Sequence, residues 1–410
     1  MPHAKTQKRK DALATLPFFA PLRLCVSILA GVLLLCGTAL AEQRFPPPDF
    51  ESGYHLPTTA TPPARAELLQ YLDVAVLIGA LGVALWLVYR SRSRPGITAL
   101  SLFSLAYFGF YRKGCVCAIG SVQNVALSLF DSHYALPVTV LIFFLAPLLV
   151  ALFAGRAFCA AVCPQGAIQD LVLIKPVKVP SWLEQALGLI PFLFLGAGVI
   201  FAATGSGFII CQYDPLVPFF RFNGSSLMIG LGVAFLLVGL FVGRPYCRFL
   251  CPYGALLRLA TLAAKWRVRV TPDTCTRCAL CQHSCPFGAM REPLDKPAAS
   301  AAKPAMRIAA RRRLAGFLLL LPVLVASGAF GGSRIAGVGS KLELGGWLFG
   351  GWIGLVIGAK LISLCIPRSR ADFEPDSAAC FACARCFEYC PSERMRRGLM
   401  PVESEPISKQ

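Results

Sequence analysis

Two cysteine runs of identical spacing provide the clearest chemical signal in this chain. They are Cys275, Cys278, Cys281 and Cys285 before Pro286, and Cys380, Cys383, Cys386 and Cys390 before Pro391. Each reads C-x2-C-x2-C-x3-C-P, the bacterial ligand run for [4Fe-4S] clusters, in which the fourth cysteine often serves a second cluster. Structural zinc is the alternative, but zinc ligands usually come as two separated C-x2-C pairs. We therefore predict two [4Fe-4S] clusters and a role in electron transfer.

A different cysteine motif also occurs twice, and both copies read G-R-x-[FY]-C-x3-C-P-x-G-A. Its cysteines are Cys159 and Cys163 in the first copy and Cys247 and Cys251 in the second. Cysteines at i and i+4 face the same way on a helical turn, and the proline that follows marks a break or kink. Together the copies offer four thiols, enough for one further Fe-S cluster. Redox dithiols, transient metal binding and packing as small apolar side chains stay open as alternatives.

A weaker third copy begins at Gly114. Its C-x2-G-x2-Q pattern, starting at Cys117, aligns with the first C-x3-C-P copy, but it has C-x-C in place of C-x3-C and lacks the proline. If the apolar segment 97–111 crosses the membrane, this copy faces outward, and Cys115, Cys117 and Cys211 would form an external redox station. A disulfide or simple packing is the alternative for these cysteines.

The composition is that of a membrane protein: 56% of the 410 residues are hydrophobic, 15% are charged, and the mean hydropathy is +0.63. A helix needs about 20 apolar residues to cross the hydrocarbon core of a bilayer. Stretches that cross or nearly cross it run over 21–41, 69–89, 97–111, 135–154, 186–204, 225–243, 314–331 and 346–366. We predict an all-α polytopic membrane protein with seven or eight transmembrane helices and cytoplasmic ferredoxin-like 2[4Fe-4S] elements.

The predicted domain organisation follows from these stretches and motifs. Residues 1–41 combine a basic start, an apolar core and Ala39-Leu40-Ala41, so we interpret them as a signal peptide or an N-terminal anchor. The other divisions are a Pro-rich periplasmic linker at 42–68, membrane helices with both C-x3-C-P motifs at 69–270, the first 4Fe-4S motif at 271–295, a membrane hairpin at 312–366, and the second 4Fe-4S motif with the C-terminal tail at 367–410.

Basic residues are distributed unevenly over the predicted loops. With both cysteine runs on the cytoplasmic side, the inside segments hold 32 of the 40 Lys and Arg residues and the outside segments hold seven. The positive-inside rule predicts such a bias. The net charge of +19 therefore indicates topology and attraction to anionic lipid, and no nucleic-acid partner is expected. We predict a multi-pass protein of the bacterial inner membrane with cytoplasmic ferredoxin motifs.

Other redox cofactors lack their sequence signals. None of the four histidines lies deep in an apolar stretch, so a bis-histidine haem b is not expected, and no C-x-x-C-H motif for haem c occurs. No G-x-G-x-x-G motif follows a strand, which argues against a dinucleotide site. Acidic residues are scarce in the apolar stretches, which argues against a proton-pumping relay. Iron-sulfur chemistry is what remains.

Paired C-x3-C-P motifs at helix ends, followed by two C-x2-C-x2-C-x3-C-P runs, resemble the NosR/NapH-type membrane-bound polyferredoxins over about residues 70–395. The segment Gly114–Gln123 resembles the NosR side more closely. The resemblance implies an electron carrier between quinol or cytoplasmic donors and a periplasmic reductase system. It also implies that the eight cysteines of the two runs are cluster ligands, and that the C-x3-C-P cysteines are membrane-edge pairs.

Two departures from that family matter. NosR-like proteins generally have a periplasmic flavin domain with an S-G-A-T motif, which does not occur here, so no covalent FMN is expected and any flavin would come from a partner. The second departure is the gap of 94 residues between Cys285 and Cys380, which contains two apolar stretches. Because both runs return to the same face, we predict that they form one two-cluster module with exchanged fourth ligands.

The predicted function is electron transfer by a membrane-bound iron-sulfur protein. The alternative is a maturation factor that supplies reducing equivalents for inserting copper or another metal into a partner. The expected partners are membrane lipid, a periplasmic redox protein (a flavoprotein among the candidates), and a cytoplasmic ferredoxin or quinol as electron donor. Whether the protein is an enzyme depends on whether it oxidises quinol itself.

Overall fold

The computed structural model describes residues 66–114, 118–205, 207–270, 275–293, 304–336, 340–365 and 372–399. The predicted signal or anchor segment 1–41, nearly all of the linker 42–68, and both Cys115 and Cys117 lie outside these residues. The described chain is mostly helical, with a single short pair of strands among its described residues.

The helices of the membrane part follow in chain order. They are α1 (Glu67–Trp86), α2 (Arg94–Ser104), α3 (Ala118–Phe130), α4 (Val138–Ala154), α5 (Ala157–Ala161), α6 (Pro164–Val172), α7 (Ser181–Leu187), α8 (Ile190–Ala203), α9 (Ile209–Gln212), α10 (Val217–Arg221), α11 (Ser226–Gly239), α12 (Pro245–Phe249) and α13 (Pro252–Leu262). Two of them continue as π-helical turns, α1 over Leu87–Ser91 and α2 over Leu105–Tyr111.

The remaining elements hold the cysteine runs and the hairpin between them. They are α14 (Leu280–Ser284), β1 (Met290–Arg291), α15 (Pro304–Ala336), α16 (Ser340–Cys365), β2 (Glu374–Pro375), α17 (Arg385–Tyr389) and α18 (Pro391–Arg396).

By length and composition, four helical stretches of the described chain could cross a membrane: Glu67–Ser91, Ser181–Ala203, Ala315–Ser333 and Leu344–Ser363. Three shorter apolar helices accompany them, α3, α4 and α11. The four long stretches overlap predicted spans, and α4 and α11 cover most of two others. The total number of membrane crossings stays a prediction.

Helix α3 is an element that the apolar stretches of the sequence did not mark. The structure packs α3 against α4 and α8, with Ile119, Val122 and Ala126 buried on one face. Ser121, Gln123 and Asn124 lower the hydropathy of this stretch. At 13 residues, α3 is also too short to span a bilayer at 1.5 Å per residue.

The long hairpin of α15 and α16 joins the two cysteine runs. Its helices approach closely where Gly328 faces Gly350. Glycine allows this approach, because a side chain at either position would collide with the opposite backbone. Trp352 fixes the hairpin to the bundle, since its indole nitrogen donates to the carbonyl of Phe192 in α8 at 2.8 Å. Both ends of the hairpin therefore return to one face of the bundle.

The prolines of the C-x3-C-P motifs begin new helices. Pro164 is the first residue of α6 and Pro252 is the first residue of α13. Proline suits this position because its missing N–H would have no partner there and its φ is already helical. Each motif thus forms a short helix, a break at its second cysteine, and a second helix, and this places both cysteines beside the break.

Candidate iron-sulfur site

The two ferredoxin-type runs have the same backbone conformation. Residues on either side of the middle cysteine are left-handed: Arg277 and Ala279 in the first run, Ala382 and Ala384 in the second, with φ between 55° and 61°. Non-glycine residues rarely adopt this conformation. The same conformation at equivalent positions shows that each run curls around a centre of its own. In both runs a short helix then leads to the fourth cysteine.

The cysteines line two separate cavities, and each cavity draws on both runs. The first, of about 310 Å³ with its mouth included, is lined by Cys275, Cys278, Cys281 and Cys390. The second, of about 380 Å³, is lined by Cys380, Cys383, Cys386 and Cys285. Each cavity therefore has three close cysteines from one run and the fourth cysteine of the other, the exchange known in two-cluster ferredoxins.

Direct contacts hold the two runs together across the long hairpin. Strands β1 and β2 pair antiparallel, with Met290 opposite Pro375. Asp376 donates its N–H to the carbonyl of Ala289 at 2.8 Å, and the rings of Phe287 and Phe381 lie 4.8 Å apart. The gap of 94 residues in sequence does not separate the runs in space.

The surroundings of the cysteines fit an anionic cluster. Apolar side chains complete both cavities, among them Val270 and Phe373 in the first and Phe287 in the second. The backbone N–H of Ala382 lies 3.4 Å from the sulfur of Cys380 and can donate to it. Donors of this kind favour sulfur that bears negative charge.

Burial changes the acidity of these thiols. It raises the pKa of Cys281 to about 11 and that of Cys380 to about 12, and neighbouring cysteines add to the shift. Without metal, these sulfurs would therefore carry protons at neutral pH. Metal binding needs thiolates, so it releases those protons, and metal affinity falls as the pH decreases.

No group of three or more His, Cys, Asp or Glu side chains among the described residues is spaced to hold a single metal ion. This applies to both ferredoxin-type cavities as well. A cubane binds each thiolate on a different iron, so its ligands stand farther apart than the ligands of one ion.

The second run is docked on the membrane bundle through arginines. Arg92 pairs with the buried Glu393 at 2.8 Å, and its guanidinium lies 4.7 Å from the ring centre of Phe387. Arg94 donates to the carbonyl of Cys383 at 3.3 Å. These contacts join the loop between α1 and α2, and the first residue of α2, to the cluster-binding part of the chain.

The structure also brings together the four C-x3-C-P cysteines, named here the membrane quartet: Cys159, Cys163, Cys247 and Cys251. All four are buried. Burial raises the pKa of Cys251 well above its usual value, and charge on the neighbouring Cys247, Cys163 and Cys159 would raise it further. Two N–H groups point at the quartet: Gln169 donates to Cys247 at 3.3 Å and Gly254 to Cys251 at 3.2 Å.

The two C-x3-C-P motifs contact each other in equivalent ways. A Cβ atom on Gly166 would meet the carbonyl oxygen of Cys159 at 2.8 Å and Arg244 at 3.3 Å. A Cβ atom on Gly254 would meet the carbonyl oxygen of Cys247 at 3.2 Å and Arg156 at 3.4 Å. Each arginine thus reaches across to the glycine of the opposite motif, and the glycines allow this close approach.

Sequence reasoning missed a buried polar chain beside the quartet. Gln169 accepts the backbone N–H of Tyr246 at 3.0 Å and donates to the carbonyl of Gln165 at 2.7 Å. Gln165 donates to Asp214 at 2.7 Å, and the hydroxyl of Tyr246 donates to the same carboxylate at 3.0 Å. The i, i+4 spacing of the two glutamines in α6 was the available signal, whereas nothing in the sequence marked Asp214.

The third motif is described only in part. Cys211 lies at the surface, and its backbone N–H donates to the buried Gln123 of α3 at 3.2 Å. The other two cysteines of the predicted external station, Cys115 and Cys117, are outside the described residues. The external station therefore stays a prediction.

Comparison with known proteins agrees with these motifs. The family described as a 4Fe-4S binding domain matches residues 136–181, 224–270 and 277–305. The first two ranges contain the C-x3-C-P motifs, and the third contains three cysteines of the first run.

Several curated proteins are similar to parts of the chain. YccM of Escherichia coli (strain K12) is 26% identical over 196 residues, which cover 43% of this chain and 54% of YccM. The regulatory protein NosR of Pseudomonas aeruginosa is 26% identical over 294 residues, covering 64% of this chain and 41% of NosR. The methylamine utilization ferredoxin-type protein MauN of Paracoccus denitrificans is 31% identical over 149 residues, covering 34% of this chain and 52% of MauN.

The chain thus spans about half of the length of these relatives. No solved structure matches it. The matched ranges and the paired cysteine motifs agree: the chain contains matches to a 4Fe-4S binding domain and is similar to NosR and other ferredoxin-type proteins.

Proposed function

We propose that this protein is a membrane-bound relay that passes single electrons between a quinol or cytoplasmic donor and a periplasmic reductase system. The observation that supports it most is the pair of cavities, each lined by three cysteines of one run and the fourth of the other. Two [4Fe-4S] clusters in these cavities would supply one-electron redox chemistry.

The residues around the cavities suit that role. Phe287 and Phe381 are almost fully buried and stand in contact between the two runs, where they exclude water. The left-handed residues give both runs the same curl. A run held in one conformation limits how far the surroundings must move when the charge of the site changes by one electron.

The contacts of the basic loops support the proposed topology. Arg92 precedes α2, Arg94 is the first residue of α2, Arg156 follows α4 and Arg244 follows α11. Each of them contacts the cluster-binding part of the chain. These connections belong to the segments that the alternation of apolar stretches predicts to be cytoplasmic, a prediction that the charge bias supports. Their meeting at one end of the bundle supports a single cytoplasmic face that carries both cysteine runs.

A deletion strain tests the relay against the maturation alternative. If the protein is a relay, the periplasmic reductase should keep its full metal content, lose activity with the physiological donor, and regain it with an artificial reductant such as reduced viologen. A reductase that is present but lacks its metal would contradict the relay and support a maturation factor. Complementation with a variant lacking Cys278 and Cys383 should fail in the same way as the deletion, whereas Glu67→Gln, at an exposed residue outside the cysteine sites, should restore activity.

A further inference from the structure

Arg156 is a buried cation. Its residue is 1% exposed, and among the residues that the structure describes no carboxylate lies within ion-pair distance of it. Within the same part of the chain, its Nε atom is buried without a hydrogen-bond partner. The rest of the guanidinium faces the carbonyl of Ala378 at 3.4 Å, the ring of Phe381 at 4.1 Å and the sulfur of Cys159 at 4.0 Å. A buried charge is costly unless it has a counter-charge.

The neighbouring buried charges do not provide that counter-charge. Arg244 is fully buried and pairs with Asp170 at 2.9 Å, but Asp170 also pairs with Arg94 at 3.1 Å. Two cations therefore share one carboxylate, and Arg156 adds a third positive charge. Asp214, the other buried carboxylate beside the membrane quartet, bonds to Gln165 and Tyr246 and to none of these arginines, so three cations stand against two carboxylates among the side chains described there.

The positive charge and two N–H donors lie against the sulfurs of the membrane quartet. Arg156 reaches the sulfur of Cys159, while Gln169 and Gly254 donate to the sulfurs of Cys247 and Cys251. The bond from Gly254 also caps α13 and would form with a neutral thiol, but four neutral thiols in an apolar core would not need the buried cations. Four thiolates on an iron-sulfur core would need them, because such a cluster is anionic, and N–H groups directed at its sulfurs would tune it.

We propose that Cys159, Cys163, Cys247 and Cys251 hold a third iron-sulfur cluster, a [4Fe-4S] centre, between the two C-x3-C-P motifs. Each motif supplies two ligands, and Arg156 and Arg244 supply the counter-charge. This inference extends the proposed relay and rests on it for the direction of electron flow, but the ligand set stands on the contacts of the quartet alone.

The position of Arg156 gives the third centre its place in the relay. Its guanidinium touches Cys159 on one side and Phe381 on the other, and Phe381 lines the cavity of the second run. Arg244 lies 5.3 Å from the same ring. A single electron can pass between neighbouring clusters here with no bond formed or broken and no proton taken up. The third centre would thus carry electrons from the ferredoxin-type part toward the membrane bundle.

Iron analysis of the anaerobically purified full chain tests the proposal. Three [4Fe-4S] clusters require about twelve irons per chain, and the two ferredoxin-type clusters alone require about eight. Replacing Cys159 and Cys247 together by Ser should lower the iron content by about a third, while the EPR signals of the two ferredoxin-type clusters persist. Glu67→Gln, at an exposed residue outside the cysteine sites, should leave the iron content unchanged.

The unmodified protein decides the outcome even if the double variant fails to fold. About eight irons, with the EPR signals of both ferredoxin-type clusters at full intensity, would overturn the third cluster and leave the relay standing. A protein without iron would overturn the relay itself.

As a second measurement, Gln169→Leu keeps every ligand but removes one N–H donor, so one of three redox transitions should shift to a lower midpoint potential. No shift in any transition would contradict the assigned surroundings of Cys247.

Discussion

The ferredoxin-type runs and the membrane quartet both gather four cysteines, but they do so at different levels of structure. In each run, three of the four cysteines are brought together by local chain curvature, with left-handed residues at Ala279 and Ala384. In the quartet, each motif brings two cysteines, and the set of four exists only because the motifs pack against each other. Local spacing is therefore enough to predict the first kind of site, whereas the second depends on the bundle.

The two regions also treat charge differently. The first cavity lies at the surface of the cluster-binding part, with Cys278 exposed to solvent. The quartet is surrounded by protein, and its nearest cations, Arg156 and Arg244, are fully buried. Solvent can stabilise an exposed cluster in either charge state, whereas a buried site must provide its counter-charges itself. A change in a buried arginine or its partner should therefore have a larger effect than a change at the surface.

The largest expected effect concerns the exchange of fourth ligands. Replacing Cys275, Cys278 and Cys281 by Ala should abolish the cluster of the first cavity but keep that of the second, since the second draws on Cys285. In this background, Cys285→Ser should remove or convert the remaining ferredoxin-type cluster, seen as loss or change of its EPR signal. The matched variant Cys390→Ser should leave that signal unchanged.

The reverse result would mean that the two runs do not share ligands. If Cys390→Ser damaged the remaining cluster and Cys285→Ser did not, each run would hold its own cluster without exchange. The contacts between β1 and β2 would then serve only to hold the runs together.

The next effect concerns Asp170, the carboxylate shared by Arg94 and Arg244. Asp170→Asn leaves both arginines without their counter-charge, and breaking a buried pair in this way costs about 3–5 kcal/mol. Thermal unfolding in detergent should show a lower transition temperature. The exposed Glu67→Gln serves as a control and should change little. An unchanged transition in Asp170→Asn would mean that the buried charges are balanced from elsewhere.

Asp170 also makes the stability of the folded protein depend on pH, and the direction of that dependence can be predicted. Burial alone would raise the pKa of Asp170, but Arg244 and Arg94 lower it to about 2. A depressed pKa contributes stability that is present above the unfolded value, near 3.9, and is lost as the pH falls toward 2. The difference in stability between the native protein and Asp170→Asn should therefore be constant from pH 5 to 8 and shrink only below about pH 4.

A smaller effect concerns the close approach at the quartet. In Gly166→Ala the new methyl group would press on the carbonyl oxygen of Cys159 at 2.8 Å, a backbone atom that cannot swing away. Overpacking of this kind costs about 1–3 kcal/mol. Gly254→Ala meets the equivalent oxygen at 3.2 Å and should cost less. Gly82→Ala, in α1 with no atom within 4 Å of the added carbon, should be neutral or stabilising.

Iron content gives these glycine variants a second measurement. If the quartet binds a cluster, Gly166→Ala should lose iron before it loses the ferredoxin-type EPR signals, because the strain falls on the ligand backbone. Equal stability of Gly166→Ala and Gly82→Ala would show that the two motifs can move apart without cost.

The sequence allowed prediction of the parts that depend on local spacing. The eight cysteines of the runs were placed as candidate ligands because three of four ligands in each run lie within seven residues. The mostly helical, apolar architecture followed from composition. The meeting of the two runs followed from counting the two apolar stretches between them, since an even number of crossings returns the chain to the same face.

What the sequence did not reveal depends on tertiary contacts. Arg156 and Arg244 were seen only as members of a repeated motif, because their reach across to Gly254 and Gly166 is a property of the packed bundle. Asp214 stands in a loop with no periodic pattern, yet it is buried and accepts two side-chain hydrogen bonds. Asp73 in α1 is also buried, paired with Arg112 at 2.9 Å. The scarcity of acids in the apolar stretches therefore understated how many carboxylates the membrane part contains.

The smallest expected effect lies in the left-handed residues of the runs. Ala384 has a φ of 61°, a conformation that costs an alanine about 1 kcal/mol relative to glycine. Ala384→Gly should therefore keep the cluster and raise the stability of the apo-protein by up to about 1 kcal/mol. Ala384→Val should lower it, since a β-branched side chain is least tolerated there. Ala379 lies just before the run and is not left-handed. Ala379→Gly should therefore lower the stability of the apo-protein, opposite to Ala384→Gly, because glycine there adds only freedom to the unfolded chain. If the two glycine variants behave alike in thermal unfolding of the apo-protein, the second run does not keep its curl without metal, and its frame forms only on cluster assembly.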